Sequence, residues 1–366
     1  MSKKLNLGVC KVGANITQST SIQTASNFDL FSILPILSEA GHTVRIFTRI
    51  TRNTKIKKPY LFHDLMKVES FDKLDALIIF GGPVQFFGGQ EDPGFMKLWD
   101  LLNSYKGKIY MVMTDSRYPL MQLWEYMLLK DWHKKYDRER LYVYRNDIQY
   151  IYQGRDTYKL FEMCQRRDRY VTIKQENIHH FPIDWAIMLN PPEPKLKSLE
   201  DRPYMLAYGG SNRDANRKNR FAEYYTNNGL ETCLFGSIKV DGEKNPMGTV
   251  AHKSFINQMS KSVSTVIIGD KFYLDNFFTL RMYESILAGC ITFIDSDLDT
   301  ERLFYNDIRL KELLYVHSVG EMKEKLEYIL DGGQIAFEDI QRRQLDCIQN
   351  MYGKDEYKQM LLDIIE

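Results

Sequence analysis

The chain has 366 residues, 44% hydrophobic and 27% charged, enough for about two domains that each bury a core. That length excludes a disulfide-stapled miniprotein, and the absence of an apolar run of roughly 18 residues excludes a membrane-spanning helix. The net charge of +1 speaks against a strongly basic nucleic-acid binder only until it is divided: residues 1–190 carry 27 Lys and Arg against 20 Asp and Glu, and residues 191–366 carry 22 against 28. A basic first half suits a polyanionic partner.

Strands and helices alternate from the start, the pattern of a parallel α/β sheet. Residues 5–12 read as a buried strand, 28–40 as an apolar helix closed by Gly41, and 43–49 as the next strand. ALIIF (76–80) is a strand ending at Gly81-Gly82-Pro83, residues 93–105 a helix opened by proline, and KIYMVMT (108–114) a strand that stops at Asp115. Strand-like, basic sequence continues through 141–174. LNPPEPKLKSLED (189–201) has the composition of an exposed linker. A second α/β series follows: strands at 204–207, 231–235, 264–268 and 291–294, and helices at 218–228, 252–262 and 277–287. Helical periodicity then fills 321–330, 336–351 and 356–365.

The five cysteines (Cys10, Cys164, Cys233, Cys290, Cys347) form no CxxC pair, as expected of buried thiols in a reducing compartment. The seven histidines show no zinc-ligand spacing, so no protein metal site is expected. The N-terminal apolar run breaks at Lys11, too early for a signal-peptide core, and the expected location is cytoplasmic.

Ligands of open α/β sheets sit at the carboxyl ends of strands, and four segments there carry candidate chemistry. In YGGSNRDANR (208–217), Gly210 and Ser211 offer backbone amides while Arg213 and Arg217, four apart, share a helix face suited to a diphosphate; a glycine turn before a solvated basic helix reads equally well. In IIGDKFYLDNFFTLRMYE (267–284), Asp270 follows a strand and Arg281 and Glu284 stand three apart, as for a phosphate and a ribose diol or for a plain surface ion pair. Asp115, before Ser116 and Arg117, is placed as a general base or as a helix cap. FGGPVQFFGGQED (80–92) sets Gln85, Phe86 and Phe87 between glycine pairs, a loop suited to wedging beside a base or to folding onto the core.

In this order and spacing, FFGG (86–89), KIY…TD.R.P (108–119), YGGS.R…R (208–217) and IIGDK.Y.DNF.TLR..E (267–284) resemble the phage DNA β-glucosyltransferases, which transfer glucose from UDP-glucose to 5-hydroxymethylcytosine in double-stranded DNA. The resemblance runs over essentially the whole chain. It implies an α/β fold of the GT-B type: two Rossmann-like doubly wound domains facing a central cleft, residues 1–188 with 345–366 for the acceptor DNA and residues 202–344 for the UDP-sugar, with the last helix returning to the first domain. It further implies Asp115 as the base in an inverting displacement. Gly210, Ser211, Arg213, Arg217 and Arg281 would hold the UDP diphosphate, Glu284 the ribose, Val250 the uracil, and Asp270 and Asp29 the sugar. Gln85, Phe86, Phe87 and Arg117 would face DNA.

Any Mg²⁺ or Mn²⁺ would be held by the diphosphate and water. A monomer in the cytoplasm of the infected host, shielding phage DNA from nucleases, is the expected context. The sequence departs from the family at Asp29, where the family has glutamate, in residues 14–26, and at Asn212, where it has an aromatic. These positions surround the sugar and leave UDP-arabinose or another pentose donor open beside UDP-glucose. A GT-B transferase with a non-DNA acceptor and a catalytically silent DNA-binding protein are the other readings.

Overall fold

A computed structural model describes residues 4–11, 28–48, 61–80, 93–113, 141–145, 178–180, 192–212, 215–226, 228–240, 243–244, 248, 250, 252–269, 279–351 and 354–365. They divide into two compact units, Met1–Ala186 with Asp355–Glu366, and Ile187–Lys354. No described helix is long and apolar enough to cross a membrane.

The first unit runs β1 (Asn6–Lys11), α1 (Phe28–Glu39), β2 (Thr43–Thr48), β3 (Leu61–Asp64), β4 (Ala76–Phe80), α2 (Pro93–Ser104), β5 (Lys108–Met113), β6 (Leu141–Arg145) and β7 (Ile178–His180). Its described strands form one sheet of order β3-β2-β1-β4-β5-β6-β7, with every neighbouring pair parallel. Parallel strands are covered on both faces and so read as unbroken apolar runs. Ala76, Leu77, Ile78 and Ile79 of β4 are accordingly all buried. Strand β3 was not expected from the sequence: its LFHD is half-exposed at the sheet edge and lacks such a run.

The second unit contains β8 (Tyr204–Ser211), α3 (Ala215–Phe221), β9 (Thr232–Ser237), the short antiparallel pair β10 (Lys239–Val240) and β11 (Glu243–Lys244), α4 (His252–Met259), β12 (Ser262–Ile267), α5 (Leu280–Leu287), β13 (Ile291–Asp295), α6 (Ile308–Leu314), β14 (Tyr315–Val316), α7 (Val319–Asp331) and α8 (Gly333–Met351). Its described parallel sheet has the order β14-β13-β12-β8-β9. All six residues of β12 are buried, including its hydroxyl-bearing ones. Ser264 Oγ donates to the Met205 carbonyl (2.7 Å) and Thr265 Oγ1 to the Ala207 carbonyl (2.8 Å). A buried polar group costs little when its partner is built in.

The returning C-terminal segment starts at Asp355, later than the expected residue 345. The reason is Gln344 on α8, fully buried. Its Oε1 accepts from the Thr292 amide (2.8 Å) and the Tyr305 hydroxyl (3.1 Å), and its Nε2 donates to the Cys290 carbonyl (2.9 Å). Those bonds fasten α8 to β13. Only α9 (Lys354–Ile365) turns to the first unit, where the Tyr110 hydroxyl donates to the Ile365 carbonyl (3.4 Å) and Lys358 pairs with Glu39 (3.6 Å).

The expected linker is not a free tether. Its side chains at 192–196 are exposed, but the Lys195 amide donates to the Leu287 carbonyl (2.7 Å) and the Leu199 amide to Gln334 Oε1 (2.8 Å). Buried Arg202 closes the strap, donating to the carbonyls of Ser262 (2.6 Å), Lys195 (3.2 Å), Lys197 (3.3 Å) and Ala288 (3.5 Å). Replacing it by methionine leaves those carbonyls unanswered, and Arg202→Met is expected to destabilise the second unit by about 2–4 kcal/mol in urea unfolding.

The GGS segment, expected as a turn, completes β8 instead: Gly209, Gly210 and Ser211 pair with Phe235, Gly236 and Ser237 of β9. Gly236 has φ 110°, and a Cβ there would fall on the Gly210 carbonyl. Gly229 also has positive φ (71°) but faces open space. Gly229→Ala should cost about 1 kcal/mol, whereas Gly236→Ala, strained and overpacked, should cost more than about 3 kcal/mol by the same unfolding measurement.

Candidate functional site

In each sheet the strand order reverses once near its centre, between β1 and β4 and between β8 and β12, and such switch points open a crevice at the carboxyl ends. In the second unit those ends carry Gly210 and Ser211 on β8. The segment after β12 leads to α5, which bears Arg281 and Glu284.

Arg281 stands in the first turn of α5 and Glu284 one turn on. Their ion pair forms, Arg281 Nη1 donating to Glu284 Oε2 at 2.5 Å. It is not the plain surface pair that the spacing allowed: the Glu284 side chain is 1% exposed and that of Arg281 39%. The guanidinium also lies 3.7 Å from the centroid of the Phe255 ring. A carboxylate on one side and a ring beneath hold an arginine that keeps an open edge.

Phe255, on α4, is buried against Phe235 of β9, with ring centroids 5.2 Å apart and planes at 62°. Both rings press on β8 at Gly209, where a Cβ would collide with each. Val250 is partly buried against the same apolar cluster. It is brought to the end of β9 by the Gly236 amide, which donates to the nearby Gly248 carbonyl (2.7 Å).

At the end of β8 the Ser211 carbonyl accepts from the Tyr208 hydroxyl (2.8 Å) and from Arg217 Nη1 (3.4 Å), so Arg217 is gathered to this strand end. Asn212 follows, buried, its Nδ2 donating to the Lys239 carbonyl (2.7 Å) and its Oδ1 accepting from the Lys239 amide (3.1 Å). That two-point clamp ties the end of β8 to β10. Helix α3 begins at Ala215, ahead of the expected residue 218, and the chain continues as a π-helical turn over Ala222–Thr226.

Another strand-end carboxylate, Asp295 on β13, is engaged structurally. Arg220 binds it at 3.0 Å together with Asp297 (2.7 Å) and Glu223 (3.1 Å). Burial pushes the Asp295 carboxyl up to about 6, against the pull of Arg220.

Of the expected residues, Gly210, Ser211 and Arg217 lie at the end of β8, Arg281 and Glu284 pair on α5 with Arg281 over Phe255, and Val250 packs on the apolar cluster that holds Phe255. Asp115, Arg117, Gln85, Phe86, Phe87, Arg213 and Asp270 lie outside the described residues, and Asp29 is described only as part of the backbone of α1. The sequence reading missed Phe255 and Gly236 as parts of the site. Only the second had a local signal, a glycine at a strand end; a phenylalanine at a core position of α4 has none.

Comparison with known proteins finds likenesses over both units. Residues 5–184 match the family model described as bacteriophage T4 beta-glucosyltransferase. The DNA beta-glucosyltransferase of Enterobacteria phage T4 is 25% identical over 360 residues, covering 94% of this chain and 93% of that protein. A solved structure of the T4 phage enzyme in complex with UDP and Mn²⁺ matches with a TM-score of 0.72 at 22% identity, over 99% of this chain and 100% of that one. Its complex with UDP-glucose matches with 0.72 at 21% over the same shares. The chain is similar to a phage DNA beta-glucosyltransferase over almost its whole length and shares the fold of that enzyme's solved structures, two Rossmann-like units of the GT-B class.

Proposed function

We propose that the protein is an inverting DNA glycosyltransferase that moves a sugar, glucose first among the candidates, from a UDP-sugar to the hydroxymethyl group of 5-hydroxymethylcytosine in duplex phage DNA. One observation carries the reading. In a chain similar over 94% of its length to a DNA beta-glucosyltransferase, half-exposed Arg281 pairs with buried Glu284 above a Phe255 ring that packs on β8 at Gly209, and Arg217 bonds the end of the same strand.

The Asp115 carboxylate takes the proton of the hydroxymethyl O–H as that oxygen attacks the anomeric carbon. The bond from that carbon to the β-phosphate oxygen breaks, and its electron pair leaves with UDP. One displacement inverts the configuration. Arg213, Arg217 and Arg281, with the Gly210 and Ser211 amides, meet the charge that grows on the departing diphosphate, where preorganised donors count most. Glu284 takes the ribose hydroxyls, Val250 lines the uracil, and Asp29 and Asp270 face the sugar.

Gln85, Phe86, Phe87 and Arg117 engage the DNA around an extruded base, since a stacked cytosine cannot deliver its 5-substituent into a deep pocket. Mg²⁺ or Mn²⁺ would be held through the diphosphate oxygens and water, and would supply positive charge to the departing UDP. The enzyme acts as a monomer in the infected cell, and its product resists host nucleases.

Incubating the protein with hydroxymethylated duplex and UDP-glucose, UDP-arabinose and other UDP-sugars, followed by nucleoside mass spectrometry, is expected to yield a hexosylated nucleoside. A pentosylated one would reassign the donor through the shorter Asp29, and an unmodified nucleoside with every donor would end the proposal. Asp115→Ala should lower kcat by about a thousandfold and leave UDP affinity within a factor of about two. Arg281→Ala should weaken UDP binding by about thirtyfold in calorimetry, the loss of one charge-assisted contact to phosphate.

A further inference from the structure

We propose that Phe255 is a positioning residue of the donor site, the platform that holds Arg281 ready for a nucleoside diphosphate. The inference rests on the reading of that site as a UDP-sugar site. It starts from a distance. Arg281 lies 3.7 Å from the Phe255 centroid, whereas the other described arginine–ring contacts, Arg202 on Phe337, Arg302 on Tyr315 and Arg220 on Tyr224, lie at 5.3, 5.4 and 5.9 Å. Only the first is close enough for flat stacking of a guanidinium on a ring face.

The ring cannot drift. It is 4% exposed, its edge is set against Phe235, and Gly209 leaves room for it only by lacking a Cβ. The arginine is fixed at a second point, Nη1, by Glu284, whose side chain is 1% exposed. A long side chain held by a ring beneath and a carboxylate beside loses little further freedom when an anion arrives. That is how a binding arginine is preorganised. The contacts are continuous, from the β8 strand end at Gly209 through Phe255 to Arg281 and Glu284. Phe255 therefore keeps the guanidinium in register with the Gly210 and Ser211 end of the same strand.

A double-mutant cycle read by UDP calorimetry on the full chain separates this role from a structural one. Phe255→Leu, which keeps an apolar side chain and removes the ring, is expected to weaken UDP about fivefold. In the Arg281→Ala background the same substitution should have no further effect, because residues that act through one contact are non-additive. Effects that multiply would overturn the proposal while leaving the donor site standing; a wild-type chain that binds no UDP would overturn both.

Should Phe255→Leu not fold, Phe255→Met serves the same cycle. Independently of any variant, ring current should move the Arg281 Nε–H resonance of the wild-type protein upfield of the other arginines. A signal at the ordinary position would contradict the stacking.

Discussion

The candidate site depends on one steric constraint: near their ends β8 and β9 carry glycines, Gly209 and Gly236, that leave no space for side chains between their backbones and what packs on them. Gly236 is left-handed and sits against the Gly210 carbonyl, and Gly209 is covered by the rings of Phe235 and Phe255. Without that close approach the Phe255 ring does not reach the sheet. With it, Phe255 becomes a floor for Arg281, and Arg281 meets Glu284 at 2.5 Å. Packing, rather than the charges themselves, sets where the charges stand.

The surrounding unit is stiffened by polar groups that are buried and answered. Arg202 gathers four carbonyls, Gln344 spans β13, and Asp299 caps the Leu303 and Phe304 amides (3.0 and 2.9 Å) while accepting from the Tyr315 hydroxyl. Burial pushes the Asp299 carboxyl up, and those donors pull it back down. Fully answered networks of this kind specify a single arrangement of a core. A Rossmann-like unit that must present an arginine and a carboxylate to a charged ligand gains from such rigidity.

Much of the framework was legible because parallel strands announce themselves: ALIIF at 76–80 and ITFID at 291–295 have no polar face. The i,i+3 spacing of Arg281 and Glu284 announced a pair, but burial of one partner, which separates it from a surface ion pair, comes from tertiary packing. Strand β3 and helix α6 carried too little periodicity to be expected. The glycines of β8 suggested a turn by composition, and only pairing with β9 made them strand. The prolines and charges at 189–201 suggested a tether, and nothing in them foretold that Arg202, just beyond, would bind their carbonyls. Phe255 was invisible as a site residue because its role depends on a residue 26 positions away.

The central claim is that the ends of β8, β9 and α5 in the second unit form the cradle of a nucleoside diphosphate. A crystal structure of the full chain with UDP tests it most directly. The account predicts diphosphate density against the Gly210 and Ser211 amides and within hydrogen-bond distance of Arg281, with the ribose on Glu284. UDP bound elsewhere, with Arg281 still occupied only by Phe255 and Glu284, would contradict it.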